Sequence, residues 1–231
     1  MNTSQYLWLV SPYVAIAVFV VGHVWRYRQD KFGWTTRSTQ LLESRWLAFG
    51  SNLFHYGALA AIAGHVLGIL IPSGWTDLVG LGEARYHLLS TAAGAVAGVA
   101  CGAGLVILVA RRLRFPRVRV TTSYTDMAVY LLLIVLIGLG LFQTIGVNGF
   151  GSGYDYRATV SIWFRGVFSL NPQPGLMAAA PLPYQVHAAL AWLLFALWPF
   201  SRLVHAWSVP FQYLGRPYIL YRSRFAVAGR R

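Results

Sequence analysis

The stretch LAFGSNLFHYGALAAIAGHVLGILI, Leu47 to Ile71, decides the fold. It contains no Asp, Glu, Lys or Arg and is longer than the ~20 residues with which a helix crosses a bilayer core. Its apolar residues are continuous rather than alternating. It therefore reads as a transmembrane helix, which satisfies its own backbone hydrogen bonds in lipid, and not as a barrel strand. Two histidines, His55 and His65, lie inside it, and ionisable side chains in lipid are costly enough to mark a function.

Outward from this segment, further apolar stretches run from Tyr6 to Trp25, His87 to Ala110, Met127 to Val147 and Tyr184 to Leu203. The expectation is an all-α integral membrane bundle of five transmembrane helices, forming a single membrane domain over residues 1–231. Composition agrees: 57% of residues are hydrophobic and 11% charged, with a mean hydropathy of +0.54, whereas soluble domains are about one-quarter charged. The first stretch is not read as a secretory signal, because no Lys or Arg precedes it and its apolar run exceeds that of a signal core. The single cysteine, Cys101, rules out a disulfide framework and any Cys-ligated cluster built from this chain alone. It reads as a small core residue.

Of the 19 basic residues, all but Arg85, Arg157 and Arg165 fall between the first two spans, between the third and fourth, or in the C-terminal tail. This asymmetry sets an N-terminus outside and a C-terminus in the cytoplasm; the expected location is the cytoplasmic membrane of a bacterium, crossed several times. The net charge of +13 follows from the same rule and calls for no nucleic acid. In the outer connection, Asn148 to Pro183, the residues Val160, Trp163, Phe164, Val167 and Phe168 recur with helical period. They predict a short amphipathic helix lying in the outer membrane interface.

Six histidines occur, at 23, 55, 65, 87, 187 and 205. His23 and His87, near span ends, read as neutral imidazoles hydrogen-bonded to a neighbouring helix. The other four fall on two antiparallel spans. His55 and His65 are ten residues apart, ~15 Å along a helix, so each needs its own partner. His187 and His205 are eighteen residues apart, five whole turns and ~27 Å, so both face one way. Topology pairs His55 with His205 at the inner end and His65 with His187 at the outer end. The unequal spacings predict oblique ligand axes, helped by a kink at Pro199.

Imidazole suits iron, and two histidines per iron fill both axial positions, leaving no site for gas. The chain has no C-x-x-C-H attachment pattern, so two non-covalent b-type haems are expected. Gly57, Gly64 and Gly68 flank the ligands and would let a flat porphyrin approach the backbone. A competing class is a transporter or assembly protein whose buried histidines move protons or bind a metal without haem; such a protein would be colourless.

At these residues the chain resembles the gamma subunit of respiratory nitrate reductase, a membrane cytochrome b. The segments that carry the resemblance are Ser51–His55, Gly64–His65, Arg111–Leu113, Pro116–Arg119 and Phe200–Pro210 with Tyr213–Leu214. The resemblance implies that a quinol, menaquinol above all, is oxidised near the outer haem. Electrons then pass through the inner haem to an iron-sulfur beta subunit and a molybdenum-containing alpha subunit, where nitrate is reduced. It also implies that Arg85, beside His65, helps form the quinol pocket. A permanently charged guanidinium there would orient an oxygen rather than accept a proton, a task left to His87 or His65. Arg111 and Arg112 enter the cytoplasmic loop close to the inner haem, where guanidinium groups would pair with propionates. A related haem b subunit serving another complex, such as one for sulfite reduction, is the alternative.

Overall fold

The computed structural model describes residues 2–207, so the tail segment from Ser208, including the matching Val209–Pro210 and Tyr213–Leu214, lies outside the described residues. Among the described residues all regular secondary structure is helical. Helix α1 spans Thr3–Gln29 and begins with an Asn2–Gln5 capping box. Helix α2 spans Arg45–His65 and runs on through a π-helical turn, Val66–Leu70. A short α3, Ser73–Leu78, leads into the long α4, Glu83–Arg114. The single turn α5, Pro116–Arg119, precedes α6, Tyr124–Leu141, which is started by a Ser123–Asp126 capping box and extended by a π-helical segment to Phe150. The outer connection folds into α7, Val160–Phe168, and α8, Pro174–Ala178, before α9, Leu182–Leu197.

Among the described residues four helices are long and apolar enough to cross a membrane: α1, α2 with its extension, α4, and α6 with its extension. The fifth expected span, Tyr184 to Leu203, is not one continuous helix. The α9 helix stops after 16 residues at Leu197, and the chain continues as two 3-10 segments, Trp198–Phe200 and Arg202–Trp207, separated by extended Ser201. Proline lacks an N–H and its ring collides with the preceding turn, so Pro199 ends this helix where a kink was expected. His205 thus sits on a separate turn, and the eighteen-residue separation is not a straight run.

The helices pack in the order α2, α4, α6, α9, α1, and α2–α4 is the most extensive contact. Glycine makes that contact close. The space a Cβ would need at Gly57 is taken by the Cys101 backbone, and at Gly104 by the Phe54 backbone. Small residues at such crossings let backbones approach in lipid, where packing rather than the hydrophobic effect holds helices together.

The amphipathic α7 does not lie free in the interface. Trp163 and Val167 are 1% exposed, and Trp163 donates its Nε1–H to Trp8 O at 3.0 Å while its ring meets the Trp8 ring edge-on. The polar side of α7 covers the end of α2, with Ser161 donating to Gly68 O and Arg165 to Ile69 O. The helix caps the bundle because the π-helical turn leaves carbonyls that need donors.

Candidate functional site

The four central histidines meet in two pairs. His55 of α2 faces His205 with ring centroids 6.0 Å apart and planes at 73°. Ten residues further along α2, His65 faces His187 of α9 at 6.2 Å, with planes at 8°. Nδ1 of His55 lies 2.7 Å from Ser51 O, that of His65 2.7 Å from Ala61 O, and that of His205 2.6 Å from Arg202 O. A carbonyl only accepts, so in each ring Nδ1 carries the proton and Nε2 bears the lone pair, the tautomer a metal ligand requires. The His187 ring stands against Gly140, where a Cβ would come within 3.4 Å of Cε1.

These distances fit a metal ion between each pair. A metal–imidazole bond of about 2 Å on either side, with the ring radii added, puts two centroids about 6 Å apart. Among the described residues no group of three or more His, Cys, Asp or Glu converges anywhere, so those residues offer each ion two imidazoles. Haem iron needs that number, since its porphyrin fills the remaining positions, whereas a zinc site built from protein needs three or four ligands. The α2 and α9 helices share no extensive packing, and the facing rings of His65 and His187 span the gap between them.

Residues 4–224 match the family described as nitrate reductase gamma subunit. The chain belongs to that family. It is 44% identical over 222 residues to the nitrate reductase gamma chain of Bacillus subtilis, covering 96% of this chain and 99% of that one. It is 34% identical to the respiratory nitrate reductase 1 gamma chain of Escherichia coli, over 96% and 98% of the two chains. It is 49% identical to the nitrate reductase-like protein NarX of Mycobacterium tuberculosis over 96% of its own length, but it spans only 34% of that longer protein.

Within this nitrate reductase gamma fold, other residues singled out by sequence have specific places. Arg111 is 2% exposed and its donors are spent on the α1–α2 connection: Nε pairs with Glu43 at 2.6 Å, Nη1 donates to Thr39 Oγ1, and Nη2 donates to the carbonyls of Thr39 and Glu43. Arg112 donates to Tyr130 Oη and Thr122 Oγ1. Arg85 is exposed in the first turn of α4 and turns back to Gly80 O at 3.4 Å. His87, two residues on, is also exposed and faces Gly153. Of the three flanking glycines, Gly57 serves the α2–α4 contact and Gly68 lies beneath the Tyr156 and Tyr86 hydroxyls; only Gly64 opens onto unoccupied space. His23 bonds to Phe19 O of its own helix, not to a neighbouring one.

Sequence reasoning missed the residues that hold the site together. Arg26 is buried and donates to Pro199 O at 2.7 Å, Ser201 O at 2.9 Å and Gly33 O at 2.9 Å. It caps the carbonyls that the break at Pro199 leaves free. Arg202 forks onto Asp126, with Nε–Oδ1 at 2.6 Å and Nη2–Oδ2 at 2.7 Å. The signal available was scarcity. With only 6 acidic residues against 19 basic ones, the acids at Glu43 and Asp126 could be expected to mark structural ion pairs.

Proposed function

We propose that this chain is the membrane cytochrome b subunit of a nitrate reductase complex, with two b-type haems held between His65 and His187 at the outer end and between His55 and His205 at the inner end. The observation that carries the reading is the two pairs of facing imidazoles, at 6.0 and 6.2 Å, with no group of three or more metal-binding side chains among the described residues. The bias of the basic residues supports a cytoplasmic location for the inner end. Bound between these histidine pairs, haem would supply one-electron chemistry.

Quinol, menaquinol in the first instance, docks from the outer leaflet beside His65, His187 and Arg85. Two protons and two electrons leave each quinol as it becomes quinone. Arg85 stays protonated and orients a quinone oxygen by donation. His65 has its Nδ1–H committed to Ala61 O, and its Nε2 would hold the haem. His87, exposed at the same end of α4, is the imidazole free to take one. Protons are released outside while electrons leave at the cytoplasmic end, to an iron-sulfur beta subunit and onward to a molybdenum-containing alpha subunit that reduces nitrate.

The test is haem quantitation and redox titration of the purified complex carrying single replacements of the four histidines. His65→Ala or His187→Ala is expected to remove one haem and abolish quinol oxidation. His55→Ala or His205→Ala is expected to leave the outer haem reducible by quinol but cut off from nitrate. Retention of two haems in all four variants would refute the assignment, and a colourless parent would favour a haem-free histidine protein.

A further inference from the structure

The turn that presents His205 has no regular helix to hold it. Arg202–Trp207 is a 3-10 segment of six residues, a geometry whose poorer hydrogen bonds rarely sustain more than three or four residues, and it follows extended Ser201. Its position must come from side chains. Trp198 Nε1–H donates to Leu203 O at 2.9 Å, and Val204 is fully buried. Arg202 makes the widest set of contacts. Besides its fork on Asp126, its guanidinium donates to Thr121 O at 2.8 Å, Arg37 O at 3.2 Å and Thr36 O at 3.3 Å.

Asp126 is itself fixed. It is 5% exposed, and its Oδ2 accepts the backbone N–H of Ser123 at 2.9 Å in the capping box that starts α6. A buried carboxylate in the first turn of a helix, matched by a planar guanidinium, is a rigid anchor. The main chain of the same arginine then acts on the imidazole, since Arg202 O accepts the Nδ1–H of His205 at 2.6 Å. One residue therefore ties α6 to the turn through its side chain and orients the histidine through its carbonyl.

We propose that the Asp126–Arg202 ion pair is the positioning device of the inner haem ligand, setting the tautomer and direction of His205 toward His55. The proposal rests on the haem reading above. Groups that orient a metal-bound histidine from behind affect affinity and electronic properties without touching the metal. Nothing comparable is needed for His187, which is carried by the regular helix α9.

The test uses the whole complex with Asp126→Asn, Asp126→Glu and Arg202→Lys. Asp126→Asn is expected to lower haem affinity at the inner site by roughly tenfold or more. The inner low-spin signal in electron paramagnetic resonance should be lost or shifted, while the outer haem keeps its occupancy and signal. Arg202→Lys retains charge but not the fork and should move the same signal in the same direction. Asp126→Glu should restore it. Two unaltered haems in Asp126→Asn would overturn the proposal, as would loss of both haems together, which would assign the ion pair to folding at large. A parent protein that binds no pair of b-type haems would instead refute the haem reading itself.

Discussion

The imidazoles of His65 and His187 face each other 6.2 Å apart with planes only 8° from parallel, whereas those of His55 and His205 are inclined at 73°. Near-parallel axial rings split the two iron d orbitals that take part in π bonding, and near-perpendicular rings leave them almost degenerate. Two b-type haems held as proposed should therefore be spectroscopically distinct even though their ligands would be chemically the same. Electron paramagnetic resonance of the oxidised complex is expected to show a rhombic low-spin signal from the outer site and a strongly anisotropic one from the inner. His205→Ala should abolish the anisotropic signal and spare the rhombic one; the reverse pattern would mean that the ring orientations do not survive haem binding.

Arg26 should matter for stability more than its place on a surface helix of the bundle suggests. It is 8% exposed and donates to three carbonyls, two of them released by the break at Pro199. Arg26→Gln is expected to destabilise the protein by about 1.5–3 kcal/mol, the range for hydrogen bonds to a charged group. A thermal unfolding midpoint in detergent equal to that of the parent would contradict this.

The glycines of α2 should divide sharply. Gly57→Ala forces a methyl into the Cys101 backbone, and overpacking of this kind costs about 1–3 kcal/mol. Gly64→Ala meets nothing within 4 Å and gains about 0.8–1 kcal/mol of helix propensity, so the bare fold should tolerate it. Unfolding midpoints of the two variants side by side provide the comparison, and equal midpoints would be incompatible with the close α2–α4 crossing.

Glu43 predicts a pH dependence. Burial alone would raise its pKa, but the backbone N–H groups of Trp46 and Leu47 and the Arg111 side chain outweigh it and hold the carboxyl below the usual range. A folded-state pKa below the unfolded value gives stability that is fully present above the unfolded pKa of about 4.3 and is lost as pH falls through the folded one. The parent should lose stability on acidification more steeply than Glu43→Gln, which lacks this titration. Parallel curves of unfolding midpoint against pH, from neutral down to the acidic limit, would remove the ion pair from the account.

Much of the site was legible because it is built from local arithmetic. The ten residues between His55 and His65 lie on one regular helix, and an antiparallel partner then leaves one consistent pairing. Arg111 was not legible. Its charge and loop position suggest a ligand carboxylate, but the decision depends on Glu43 and Thr39, 68 and 72 residues away. The apolar face of α7 was equally ambiguous, because Trp163 and Val167 bury as well against Trp8 as against lipid.

By itself the sequence determined a helical protein with spans apolar enough for a membrane and four histidines on two of its segments, since hydropathy, length and helical rise need no knowledge of neighbours. Only the tertiary structure decided how His205 reaches its partner. Pro199 marks where α9 must fail, but the direction the chain takes afterwards is set by Arg26 and by the Asp126–Arg202 fork, contacts between residues far apart in sequence.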